Sequence, residues 1–486
     1  MMMKSIKFFT VSIIAILILS NCSHTIPSRE SILDNITNIE DSLYLDLPQS
    51  PRLCDAMDTE KRFVVIGDSK LYCEIEGSGT PLVLINGGPG SSHHAFHPWL
   101  SELSKEFQVI YYDQRGCGLS DYKPGPGYSF EQAVEDLEKL RISLRIDKWI
   151  VAGHSFGGGL AQYYTIKYPQ HVLGQVLIGS VPMMDIEAFR AGRAQEYYSD
   201  KEREKIAELR EMAIARKISM VQYRFNRELN GGWKRGNFYK PTMERIAQGG
   251  LYDFVADPLF TSDWAVYNFK DAFLECPVST LILEGKYDLI WKADRPALMG
   301  KYHPNASVQV LENSGHNMFA DEPDRFTEAI KSWAESIEQA SLPELEKWSQ
   351  SVDTIIGESL YLIESSKDFI RLIKESGVEV AHHQYLEIKA ARPEARIFFE
   401  APMNVLGYEY LFAAKLDESV AIFKLNVMEY PDSWNAYDSL GEAYLKINEI
   451  EKAKVSYQKS IELNPENENG INVLKQISLA DQSTSE

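Results

Sequence analysis

Seven short runs of apolar, largely β-branched or aromatic residues recur between residues 62 and 313: RFVVIG, PLVLIN, QVIYYD, WIVAG, VLIGS, STLILEG and VQVLEN. Strands that are apolar throughout, rather than alternating, must be buried on both faces, which requires helices above and below a sheet. The segments between them supply those helices: SFEQAVEDLEKLRISLR and FGGGLAQYYTIKYP both carry apolar residues at helical spacing. The pattern therefore predicts an α/β domain with a mostly parallel sheet over residues 61–338, with ligands gathering at the carboxyl ends of the strands. Between about 183 and 272 the alternation stops, and MMDIEAFRAGRAQEYYSDKEREKIAELREMAIARKISMVQYRFNRELN reads as helices without a buried strand. A helical insert leaving the carboxyl end of a strand covers the active face as a cap.

After residue 338 the chain is helical throughout, and it repeats. Leu406, Gly407, Tyr410, Ser419, Phe423 and Pro431 return 34 residues later as Leu440, Gly441, Tyr444, Ala453, Tyr457 and Pro465. This spacing, with its small, aromatic and proline positions, resembles the tetratricopeptide repeat. Repeats over 402–476 bury little by themselves, so the helical stretch 339–401 is expected to bridge and support them. A helical repeat offers a concave face, which makes a protein partner the expectation for this tail.

At 486 residues the chain exceeds one compact core, and roughly two to four domains are expected. Its 50 Lys plus Arg against 70 Asp plus Glu leave a formal charge of -20, which repels polyphosphate and excludes nucleic acid as a partner. Residues 1–22 differ from the rest. Lys4 and Lys7 precede the apolar run FFTVSIIAILILS, which is short for a membrane span and has the form of an export signal. The closing LSNC resembles the bacterial lipoprotein cleavage box, with Cys22 as the lipidated residue, although Asn21 stands where a small residue is usual. The polar, acidic stretch 23–60 then serves as a tether, and the protein is expected in the bacterial cell envelope, lipid-anchored in the outer membrane and facing the periplasm. In that oxidising compartment Cys54, Cys73, Cys117 and Cys276 can form disulfides without having to, and Cys54 with Cys73 is the pairing to test. Cys117 lies in a loop that is expected to shape the pocket wall, and the cysteine spacing carries no zinc signature.

The chemistry sits in VAGHSFGGG. Gly153, Ser155 and Gly157 form G-x-S-x-G directly after a strand and before a helix, where glycines flank the serine because side chains would strike neighbouring backbone. A serine needs a base to take its proton, and that base needs an acid to hold its tautomer. Asp288 follows the run STLILEG, and His316 follows VQVLEN, each at the carboxyl end of a predicted strand. The order Ser155, Asp288, His316 is that of the α/β hydrolases. Gly87–Gly90 ends another strand in a turn whose backbone can approach a substrate, so the amides of Gly88 and Phe156 are the expected donors to a tetrahedral oxyanion.

NGGPG followed by YYDQRGCGLSD resembles the proline iminopeptidase group of α/β hydrolases, whose members carry HGGPG and DQRGxGxS in these loops. The resemblance spans roughly residues 60–338 and implies removal of an N-terminal residue, often proline, from short peptides without metal or cofactor. Two positions depart from the group: Asn86 replaces its usual histidine, and GHSFGG replaces GGSWG, a context widespread among esterases. A carboxylesterase acting on small acyl esters is therefore the alternative, and an interaction scaffold working through the tail is the second. Aminopeptidases of this kind hold the free amine with cap carboxylates, of which Glu187, Glu196, Glu228 and Glu244 are candidates. His93 and His97, four apart on an expected helix, have a metal-chelating spacing but no third ligand in the sequence; a polar lining beside the glycine turn is the expectation, and no metal site is assigned.

Overall fold

The structure is a computed structural model and describes residues 57–121, 128–180, 182–183, 199–215, 217–218, 220–231, 236, 239, 267, 269–290, 295–465 and 467–483. Residues 1–56 lie outside it, and with them the expected signal, Cys22 as its expected lipidation site, Cys54 and all but residues 57–60 of the expected tether 23–60, of which Glu60 already belongs to the first strand.

Eight strands form one sheet: β1 Glu60–Ile66, β2 Ser69–Glu76, β3 Thr80–Ile85, β4 Phe107–Tyr112, β5 Trp149–His154, β6 Val172–Ile178, β7 Thr280–Gly285 and β8 Ser307–Leu311. Their order is β1-β2-β4-β3-β5-β6-β7-β8. β3 through β8 pair in parallel, while β1–β2 and β2–β4 are antiparallel. The chain passes from β3 to β4 on one side and returns to β5 on the other, so the crevice between β3 and β5 is the topological switch point.

Alternate residues of each central strand enter opposite cores. Val83, Ile85, Ile110, Val151, Leu177 and Ile282 face helices α1 Phe130–Ser143 and α2 Phe156–Lys167. Leu82, Leu84, Val109, Ile150, Val176 and Leu281 face Phe96 and Leu100 with Phe326, Ile330 and Trp333.

The edges behave differently from the uniform burial expected of every apolar run. In β1 Phe63 and Val65 are 57% and 61% exposed, because an edge strand has a partner on one side only and this one is covered on one face. β8, at the other edge, exposes Val308 and Val310. The pattern also missed β2, SKLYCEIE, whose lysine and glutamates interrupt the apolar run.

Within the cap region two helices are described, α3 Asp200–Ile214 and α4 Met220–Leu229. The Ser199 and Glu202 side chains close a capping box at the start of α3. Then follow α5 Arg295–Tyr302, α6 Met318–Asp321 and α7 Pro323–Glu335.

The tail contains α8 Leu342–Ser376, α9 Val378–Ala391, α10 Glu400–Phe412, α11 Leu416–Glu429, α12 Trp434–Lys446, α13 Ile450–Leu463 and α14 Glu468–Ser483. The 35 residues of α8 join two cores. Leu345, Trp348, Val352, Ile356 and Ile363 pack with the sheet domain, whereas Phe369 and Ile373 pack with the tail. Trp348 Nε1 donates to the Ala272 carbonyl at 2.8 Å, tying this helix to the segment where the cap region returns to the sheet.

The helix pairs α10/α11 and α12/α13 explain the sequence period. A Cβ on Gly407 would lie 2.5 Å from the Phe423 ring, and one on Gly441 would lie 2.9 Å from the Tyr457 ring. Each small residue thus seats the aromatic of its partner helix at the same repeat position. Among the described residues no helix is long and apolar enough to cross a membrane.

Candidate active site

Ser155 sits between β5 and α2 at φ 54° and ψ -119°, a conformation costly for a residue with a side chain. The flanking glycines allow this bend. A Cβ on Gly153 would lie 2.1 Å from the Gly157 carbonyl oxygen, and one on Gly157 would lie 2.2 Å from that of Ile85. Both obstacles are backbone, which cannot move aside as a side chain can. The Ser155 amide donates to Ile178 at 2.8 Å, and its carbonyl accepts from Gly158 at 2.9 Å, so the turn is held from both sides.

His316 and Asp288 come together across two loops. His316 Nδ1 lies 2.6 Å from Asp288 Oδ2, while Asp288 Oδ1 accepts from the Ile290 amide at 3.0 Å. The loops themselves are in close contact, since a Cβ on Gly285 would lie 2.1 Å from the Gly315 carbonyl oxygen. Gly236, from the cap region, accepts from the His316 amide at 2.7 Å. Asp321 accepts from the amides of Gly315 and Tyr239, binding the histidine loop to the cap region a second time.

Burial alone would raise the Asp288 carboxyl, but the Arg295 charge and then that of His316 outweigh it and hold the group well below the usual carboxylate range. Arg295 Nη2 is 2.5 Å from Asp288 Oδ2 and 2.8 Å from Glu284 Oε2, a pairing without a signal in the sequence. His154, the residue before Ser155, places Nε2 3.0 Å from the His316 carbonyl oxygen. Its burial, then the charge of His316, pushes it down to about 3, so it is neutral near pH 7.

The glycine turn after β3 faces the serine. A Cβ on Gly87 would lie 3.1 Å from Ser155 Cβ, and Gly88 has φ +130°, which favours glycine. Phe156 begins α2, so its amide belongs to the helix amino terminus, and its ring packs on Phe130 at 5.7 Å.

His93 and His97 do not share an α-helix as expected; residues 93–95 form a single tight 3-10 turn. Both imidazoles approach Glu74 of β2, at 3.4 and 3.3 Å. His93 also binds Asp113 Oδ1 through its amide at 2.7 Å and its Nδ1 at 2.9 Å. Burial opposes a charge on His93, but the Asp113 charge and hydrogen bond, with Glu74 behind them, lift it to about 9. The pair therefore pins the end of the glycine turn to β2 and β4. Among the described residues no group of His, Cys, Asp or Glu could hold a metal ion.

Residues 80–323 match the family described as the α/β hydrolase fold. The chain belongs to the α/β hydrolase family. Among its relatives is a proline iminopeptidase of Saccharolobus solfataricus, 30% identical over 280 residues that cover 55% of this chain and 88% of that protein. A proline iminopeptidase of Lactobacillus delbrueckii subsp. lactis is 25% identical over 301 residues, covering 57% of this chain and 98% of that one. Residues 435–467 match the tetratricopeptide repeat, in agreement with the 34-residue period.

Of the cap carboxylates, Glu187, Glu196 and Glu244 lie outside the described residues. Glu228 is buried on α4, with an oxygen 2.7 Å from Arg227 Nη2. Cys73, Cys117 and Cys276 are buried, and burial pushes the thiols of Cys73 and Cys276 up to about 12. The expected pairing of Cys54 with Cys73 falls on Cys54, which lies outside the described residues.

Proposed function

We propose that this hydrolase is a serine exopeptidase that removes the N-terminal residue, proline among others, from short peptides. The 2.6 Å contact between His316 Nδ1 and Asp288, in loops packed beside a serine on a strained bend, carries the reading. Ser155 Oγ attacks the carbonyl carbon of the first residue while His316 Nε2 takes its proton, and Asp288 holds Nδ1–H so that Nε2 is free to accept. The amides of Gly88 and Phe156 donate to the oxyanion. His316 then gives the proton to the departing amine, and water, activated in the same way, releases the amino acid from Ser155. Kinship with proline iminopeptidases supports the peptide substrate.

The test uses the chain lacking residues 1–22 against aminoacyl arylamides with free and blocked amino termini, and against short aryl esters, with Ser155→Ala as control. Cleavage of the free arylamides alone, absent in the variant, supports the exopeptidase. Turnover of esters alone assigns a carboxylesterase instead. Export and lipidation of Cys22 belong to the same proposal, and a Cys22→Ser variant that still incorporates labelled fatty acid would exclude the anchor. A partner for the repeats is supported by their match; unchanged co-purifying proteins after removal of 402–486 would exclude it, leaving the tail a structural role.

A further inference from the structure

Asp288 is held at three points, and two of them share one oxygen. Oδ2 faces both His316 Nδ1 at 2.6 Å and Arg295 Nη2 at 2.5 Å, while Oδ1 accepts from Ile290. A guanidinium on that oxygen alone would cancel the negative charge that a histidine base needs beside it when it takes up a proton. Glu284, buried on β7, restores it: Oε2 accepts from Arg295 Nε and Nη2, each at 2.8 Å. Two carboxylates and one guanidinium leave a net charge of about -1, the same as a lone aspartate, with the aspartate now locked in orientation.

We propose that Arg295 and Glu284 are a charge-balanced positioning pair: Arg295 orients Asp288, and Glu284 cancels its charge so that the acid limit of Ser155 reactivity stays where an unaccompanied aspartate would put it. The inference rests on the roles proposed above for Ser155, His316 and Asp288. The other titratable groups around the histidine loop change little in this account. His154 from β5 is neutral, and Asp321 and Glu322 are occupied by the amides of Gly315 and Asn313.

Charge counting then gives opposite signs for two neighbouring substitutions. Arg295→Gln leaves two carboxylates near His316, so the acid limb moves up by about one pH unit, a roughly tenfold slower reaction at a fixed pH on that limb. Glu284→Gln leaves Arg295 uncancelled and moves the limb down by about as much. The double variant restores the count and returns the limb to within about 0.3 unit of the parent. Arg295→Lys keeps the charge without the fork, so its rate falls but its limb stays.

The readout is the rate at which an alkyl fluorophosphonate modifies the full chain, followed from about pH 4 to 9, which needs no knowledge of the natural substrate. Thermal melts check that each variant is folded, and if Arg295→Gln fails to fold, Glu284→Gln and the double variant carry the test. Limbs that coincide with the parent in every folded variant, or that shift the same way in Arg295→Gln and Glu284→Gln, overturn the pair. Labelling that survives Ser155→Ala or His316→Ala instead overturns the catalytic assignment beneath it.

Discussion

Replacing His93 by glutamine tests how the glycine turn beside Ser155 is held. The imidazole lies between two buried carboxylates, Asp113 at 2.9 Å and Glu74 at 3.4 Å, and is lifted to about 9 from an ordinary value of 6.5. A histidine raised in the folded state contributes stability that is fully present below its unfolded value, and that is lost as pH rises through its folded value. The shift corresponds to about 3 kcal/mol at most, present at pH 6 and gone by about pH 10. Glu74 is held far below the carboxylate range: burial opposes this, and the hydrogen bonds from His93, His97 and Tyr72 more than offset it. Its own contribution is therefore constant above about pH 5. Glutamine can still donate to Asp113 but carries no charge. Urea unfolding of parent and His93→Gln, followed by the transition of the sheet domain at intervals from pH 6 to 10, should give a stability gap that narrows by about 3 kcal/mol as pH rises. A gap of constant size across that range would refute the claim that a charged imidazole holds the turn.

Asp288→Asn removes the negative charge beside His316 and the obligate acceptor that fixes its tautomer; hydrolysis should fall about 10³–10⁴-fold with the fold intact by circular dichroism. Gly153→Ala places a Cβ 2.1 Å from the Gly157 carbonyl oxygen, so the bend must shift, and fluorophosphonate labelling of Ser155 should slow by about 100-fold. Ala414, exposed at φ 59°, stands 34 residues before Asn448 at φ 62°, each in the turn of a repeat. Ala414→Gly should therefore raise the stability of the tail by about 0.5–1 kcal/mol in calorimetry, where an unchanged midpoint would count against backbone strain.

Much of the site was readable because its chemistry is local. Gly153, Ser155 and Gly157 lie in one turn, and the reason for the glycines, close backbone on both sides, is general to such bends. Asp288 and His316 stand out in the sequence because strand ends mark where a parallel sheet presents side chains, and the structure brings the two to 2.6 Å. The spacing of four between His93 and His97 predicts a helix that the chain does not form, and the partner that organises them, Glu74, sits on the strand whose polar residues hide it. Arg295 lies seven residues beyond Asp288 with no pattern to mark it, and Glu284 looks in sequence like one more charged residue at the end of a strand.

The order of elements, the serine bend, the placing of Asp288 and His316 after strand ends, and the 34-residue repeat follow from the sequence alone, because each depends on spacing along the chain or on periodic burial. Strand order, the exposure of β1 and β8, the joining of both cores by α8, and the ion-paired support of Asp288 were decided only by the tertiary structure. These depend on which distant segments meet in space, and one-dimensional spacing does not encode the charge and hydrogen-bond partners that such a meeting supplies.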